Sequence, residues 1–206
     1  MFQLKIPLKK NKIEVKKFFK KKGLNFIVNA SEGSERKVNQ MKDKKLLKPD
    51  LNDLYRLYQF VILNKRTTIL ELGSGWSSLV FNLALSELKK KYSNDIKKLR
   101  RNNPFELFIL ENSKKFLNIS KKRIIKFNSG ANLKQTAKNH YIFSNVEMTL
   151  YKDIIATKYL NFPLCNPDFI YIDGPDQFNV KKSINGVSTR HNDMMPMISD
   201  VLKIEY

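Results

Sequence analysis

The residues best suited to chemistry fall at four places in the chain. Glu71-Leu72-Gly73-Ser74-Gly75-Trp76-Ser77-Ser78 joins an apolar run to an amphipathic one. Small residues at such a turn let the backbone come close to a ligand, and a helix starting beyond it offers unpaired N–H groups. Glu111 closes a second apolar run, where a carboxylate can accept hydrogen bonds from two vicinal hydroxyls. Asp173-Gly174-Pro175-Asp176 closes a later one, and Ser188-Thr189-Arg190-His191-Asn192-Asp193 follows. His191 is one of only two histidines and is the candidate general base for a hydroxyl nucleophile. Arg190 beside it is a candidate clamp for an anionic group.

The elements that must position these residues alternate. Pro49-Asp50 starts a helix in which Leu51, Leu54, Tyr55, Tyr58, Val61 and Ile62 recur at helical spacing. A strand over 67–72 leads to a helix from Ser77 to about Lys91. A second strand over 105–110 leads to a helix over 113–123. A third strand is expected at 145–151 and a fourth at 168–172, with a last helix over 193–206. Residues 126–145, rich in Asn and Lys, read as an insertion with a short helix near 132–140, and Leu24-Asn25-Phe26-Ile27-Val28 reads as a short strand. Apolar strands alternating with helices predict an α/β domain around a buried, mainly parallel sheet. The expected architecture is a Rossmann-like three-layer αβα sandwich over residues 49–206, preceded by a basic extension or cap over 1–48.

The turn after the first strand separates two ligand classes. A dinucleotide fingerprint needs a third glycine where Ser78 stands, and an acid about 20 residues on. Glu111 lies 36 residues after Gly75, which disfavours a nicotinamide-dependent enzyme. The run Ile69 to Ser78 instead resembles the first motif of class I S-adenosylmethionine-dependent methyltransferases. The resemblance covers residues 50–205. It implies that Glu71, Gly73, Ser74, Gly75 and Ser77 surround S-adenosylmethionine, with Glu71 anchoring its ammonium group and Glu111 its ribose; Trp76 departs from the family's usual small residue, and it either walls the cofactor pocket or packs under the amino-terminal segment. The resemblance places Asp153, after the expected third strand, near the adenine. It puts Asp173 where the family's catalytic motif begins, and His191 beyond that strand is, from its own chemistry, the second candidate catalytic residue. Amino-methylating enzymes acting on nucleic-acid bases carry an Asp/Asn-Pro-Pro-aromatic motif at the fourth strand, and Asp173-Gly174-Pro175-Asp176 lacks its second proline and aromatic. The resemblance therefore implies O-methylation of a small molecule or sugar. Asp173 and Asp176 offer hard oxygens that suit Mg²⁺, but two acids in one turn do not make a site, and no metal ligand is assigned.

Charge and length bound the rest. The 206 residues carry a net charge of +20. Residues 1–48 hold 15 Lys or Arg against 4 Asp or Glu, whereas 166–206 hold 4 against 6. The excess is 32 Lys and only 7 Arg, a poor composition for bidentate reading of guanines. A non-catalytic basic protein that binds nucleic acid through residues 1–48 is the alternative reading. A single cysteine, Cys165, excludes an internal disulfide and suits a reducing compartment. No apolar run reaches the ~18 residues that span a bilayer, so a cytoplasmic protein without a membrane partner is expected. Class I methyltransferases continue beyond this point into a fifth strand and an antiparallel sixth and seventh, so the sheet is expected to be incomplete at its C-terminal side.

Overall fold

The structure is a computed structural model that describes residues 3–32, 47–131, 135–190 and 197–204. Its first element, α1 (Lys12–Lys21), starts at a reciprocal cap: Asn11 Oδ1 accepts from the Glu14 N–H at 2.9 Å, and Glu14 Oε2 accepts from the Asn11 N–H at 3.1 Å. Val15 and Phe19 are buried on its inner face. The segment expected as a strand at 24–28 is helical, α2 (Asn25–Ser31). Leu24, Ile27 and Val28 are its buried residues, and their i, i+3, i+4 spacing is that of one helix face. In α3 (Leu51–Leu63), Asp50 caps the first turn, its Oδ1 accepting from the N–H groups of Asn52 and Asp53. Phe18 of α1 packs between Tyr55 and Tyr58 of α3, ring centroids 5.0 and 4.9 Å away. The described part of residues 1–48 therefore shares one apolar core with the helices that follow.

The central sheet is four-stranded and all parallel, in the order β3 (Lys138–Phe143), β2 (Glu106–Glu111), β1 (Thr68–Leu72), β6 (Phe169–Ile172). Helices α4 (Trp76–Ile96) and α5 (Lys114–Gly130) connect β1 to β2 and β2 to β3. Side chains alternate across the strands. Ile69, Leu107 and Ile109 point into the helical layer, whereas Leu70, Leu72, Phe108 and Leu110 point to the other face. From Ser77 to Ser86 α4 is buried all round, because it lies under α3 as well as on the sheet.

The class is α/β, with a Rossmann-like arrangement of three layers. The third layer, on the face away from these helices, is a smaller sheet where a sandwich of the αβα kind would set more helices. Its order is β7 (Val180–Lys181), β4 (Val146–Tyr151), β5 (Ile154–Tyr159), β8 (Met197–Ile198). Val146, Met148, Tyr159, Val180 and Ile198 cover the outer face of the parallel sheet. Among the described residues no helix is long and apolar enough to cross a membrane.

Two expected elements are placed differently. The third parallel strand is not 145–151, which forms β4 of the small sheet, but β3, inside the stretch read as an insertion with a helix. Residues 132–134 of that expected helix lie outside the described residues. β3 escapes notice because its polar side chains find contacts on neighbouring elements. Asn139 Nδ2 donates to Asn82 Oδ1 at 2.9 Å, and His140 stacks on Phe108 at 4.3 Å while its Nε2 lies 2.6 Å from Glu106 Oε2. The last helix expected at 193–206 is, among its described residues, β8 followed by a 3₁₀ turn over Ser199–Lys203. Ser199 Oγ donates to the Thr157 carbonyl and Asp200 Oδ2 accepts from the Tyr159 N–H, so both side chains tie the segment to β5.

Asp168 fastens the opposite edge of the sheet. Its carboxylate accepts from the N–H groups of Thr67 and Thr68 at 2.9–3.0 Å and pairs with Arg101 at 2.8 Å, joining the starts of β1 and β6. Removing a mostly buried carboxylate orphans several donors at once. Asp168→Ala is expected to lower unfolding free energy by about 3 kcal/mol, read from urea denaturation midpoints.

Candidate functional site

The carboxyl ends of β1, β2 and β6 open onto a cavity of about 500 Å³, within the usual range for small-molecule sites. The turn from β1 to α4 forms its floor, and Glu111, the loop after β6, the start of α3, and Phe116 and Arg123 of α5 form its walls. The crevice outside the carboxyl ends of parallel strands is where open α/β sheets bind ligands.

Two glycines set this geometry. Gly73 has φ +101°, and a Cβ built on it would stand 2.7 Å from the Asp173 carbonyl carbon and 2.8 Å from the Gly174 nitrogen. A Cβ on Gly174 would stand 2.8 Å from Gly73 Cα. The loops after β1 and β6 thus touch backbone to backbone, and Asp173 N–H donates to the Leu72 carbonyl at 2.7 Å. Gly75 is different: a Cβ there would make only ordinary contacts, 3.7 Å from Ser77 Oγ and 3.8 Å from Asp173 Oδ2.

Carboxylates dominate the walls. Asp50, Asp53, Glu111, Asp173 and Asp176 line the cavity against Lys48 and Arg123, in a chain of net charge +20. Glu111 is buried; its Oε2 accepts from the Ser74 hydroxyl at 2.7 Å and its Oε1 from the Ser113 N–H at 2.8 Å. Burial raises its carboxyl to about 7, against the pull of these donors. Asp173 is open to solvent at the cavity, and the surrounding protein still pushes its carboxyl up from the ordinary carboxylate range by desolvation. Next to Glu111, Asn112 holds the loop after β6: its Nδ2 donates to the Asp176 carbonyl at 3.0 Å and its Oδ1 accepts from the Asp176 N–H at 2.8 Å.

Trp76 lines the cavity and also anchors the chain before α3, its Nε1 donating to the Leu47 carbonyl at 3.1 Å. The Arg123 guanidinium lies over its ring, 3.5 Å from the centroid, and donates to the Gly75 carbonyl at 3.1 Å. Burial lowers that guanidinium to about 10.

Gly73, Ser74, Gly75, Trp76, Ser77, Glu111 and Asp173 therefore share one cavity. Glu71 does not line it. It is fully buried behind Ser77, whose hydroxyl donates to Oε1 at 2.5 Å, and Oε2 has no hydrogen-bond partner in place among the described residues. Burial raises this carboxyl to about 8, opposed by the Ser77 and Ser78 hydroxyls. Asp153 is not at the site. It sits with Lys152 in the two-residue turn joining β4 to β5, at φ +64° and +47°, a hairpin position that favours Asp, Asn and Gly. The expectation for Asp153 follows from taking 145–151 as the third parallel strand. His191 lies outside the described residues, and Arg190 is exposed and does not line the cavity. Asp173 and Asp176 both line the cavity, but no cluster of three or more potential metal ligands occurs among the described residues.

Asn112, Arg123, Asp50 and Asp53 escape a sequence reading. Asn112 has a signal, its place beside Glu111. The others reach the cavity only because α3 and α5 pack beside the β1–α4 turn.

No protein-family model matches the chain, and neither a curated protein nor a solved structure matches it.

Two outcomes follow from this geometry. Gly73→Ala is expected to cost at least about 2 kcal/mol in urea unfolding, and Gly75→Ala less than about 1. The second concerns pH. Glu71 and Glu111 ionise near 4.5 when unfolded and near 8 and 7 when folded. Between those values the folded state binds more protons, so their contribution is fully present below about pH 4.5 and is lost as pH rises through 7 and 8. The melting temperature is expected to fall by roughly 10 °C between pH 5.5 and 8.5, and Glu71→Gln to flatten that fall in thermal scans.

Proposed function

We propose that the chain binds S-adenosylmethionine and belongs to the methyltransferase enzymes, acting on a hydroxyl of a small molecule or sugar. One observation carries the reading: the Gly73-Ser74-Gly75 turn and Glu111 face a single acid-rich cavity at the carboxyl ends of a parallel sheet.

The residues present fit such a ligand. Glu111 holds a carboxylate against the cavity, already accepting from the Ser74 hydroxyl, as it would from vicinal ribose hydroxyls. Five carboxylates against two cations favour a ligand bearing ammonium and sulfonium charge. Gly75 leaves room beside Asp173 that no protein atom fills closely. Glu71, with an unpartnered oxygen behind Ser77, supplies negative charge from below when it ionises. When bound, the cofactor supplies a methyl group activated on a positively charged sulfur.

The chain's own residues do the remaining work. The Gly73–Gly174 contact fixes the floor, the Asn112–Asp176 pair holds the loop above it, and Trp76 with Arg123 closes one side. Such fixed walls orient an acceptor for in-line attack. Asp173 is the candidate group to take the hydroxyl proton, because its raised carboxyl is a better proton acceptor than an ordinary one. His191 is proposed for the same role.

Calorimetric titration with S-adenosylhomocysteine tests the reading. Binding by the parent chain is expected, weakened at least about tenfold in Glu111→Ala, and a reduced nicotinamide dinucleotide is expected to give no heat. No binding by the parent chain overturns the cofactor assignment. Binding is also expected to tighten from pH 6 to pH 8, because Glu71 and Glu111 lose protons across that range.

A further inference from the structure

The amino-terminal segment carries a surface that the cavity does not use. Ile6, Leu8 and Ile13 are 81%, 81% and 79% exposed, and Leu4 beside them is half-exposed. Exposed aliphatics are ordinary singly, but four within ten residues concentrate apolar exposure on one short stretch of chain. Their backbone is held in place: Lys5 N–H donates to Asn64 Oδ1, and Asn64 Nδ2 donates to the Lys5 carbonyl, both at 2.9 Å.

Charge is dense along the same stretch of chain. Residues 3–22 contain nine Lys, one acid (Glu14) and no Arg. Lys9, Lys12, Lys17, Lys20 and Lys21 are exposed. The aromatic residues of the same stretch are turned inward, Phe19 buried in the core and Phe18 packed between Tyr55 and Tyr58.

We propose that this segment docks the protein on the surface of an anionic lipid bilayer. Ile6, Leu8 and Ile13 enter the boundary between headgroups and acyl chains, and the lysines meet the lipid phosphates. Aliphatic side chains bordered by lysine suit that boundary, where apolar burial and attraction to anionic headgroups add. A single-stranded nucleic acid would instead be met by exposed aromatics for base stacking and by arginine, and residues 3–22 present neither. The docking is independent of what the cavity binds.

Flotation of the full chain with vesicles tests this, using phosphatidylcholine alone and phosphatidylcholine mixed with phosphatidylglycerol. Flotation is expected only with the anionic vesicles, and to weaken as salt rises. Ile6→Asp with Leu8→Asp, both at exposed positions, is expected to weaken it roughly tenfold or more while leaving the circular dichroism unchanged. Lys9→Glu with Lys12→Glu is expected to weaken it about fivefold per lysine. Absence of flotation overturns the proposal, as does flotation indifferent to Ile6→Asp with Leu8→Asp. Retention of a single-stranded oligonucleotide without vesicle binding, or a dimer that those two substitutions dissolve, also overturns it.

Discussion

The backbone contact between Gly73 and Asp173-Gly174 is the constraint on which the cavity depends. Two neighbouring parallel strands end in loops that would splay apart if either carried a side chain at that point. With hydrogen atoms on both sides, the loops meet at 2.7–2.8 Å from where a Cβ would stand. Gly73 N–H donates to the Leu110 carbonyl and Asp173 N–H to the Leu72 carbonyl, so the ladders of β2, β1 and β6 continue into the turn. Ser74 is thereby set against Glu111 and Asp173 beside Gly75. The site is a consequence of sheet register, not of loop chemistry alone.

Its electrostatics oppose those of the molecule. Lysines spread over the exterior make the whole chain strongly basic, yet the cavity gathers carboxylates from α3, β2 and the loop after β6. Burial keeps protons on Glu71 and Glu111 up to about 8 and 7, which limits repulsion among these acids. Charge that costs stability in the free protein is available to a cationic ligand. A fold that accepts such a cost at one place is expected to use that place.

The two faces of the parallel sheet are solved differently. Helices cover one face, with α4 held under α3, while a hairpin and short strands cover the other. The second solution needs Lys152 and Asp153 to adopt positive φ, and it draws residues near both 146–159 and 197–200 onto Leu70, Leu72, Phe108 and Leu110. It brings no α-helix to that face among the described residues, and the cavity at the strand ends is lined from the helical side and by the loop after β6.

The sequence by itself determined the local units whose signals are short-range. Apolar runs ending in Gly73, Glu111 and Asp173 marked β1, β2 and β6, and helical spacing from Leu51 to Ile62 marked α3. The glycines and Glu111 of the candidate site were legible for the same reason, since each stands at the end of its own strand. β3 was not, because the contacts that hold Asn139 and His140 in a strand come from Asn82, Phe108 and Glu106. Asp153 was misplaced with it, and residues 197–203 read as helix because the bonds that hold Ser199 and Asp200 run to β5 rather than along the segment. Arg123 on Trp76, Asn112 on Asp176, and Asp50 and Asp53 at the cavity were likewise decided by packing. Periodicity reports which face of a segment avoids water. Only the tertiary structure reports which partners meet a polar group, and those partners come from distant parts of the chain.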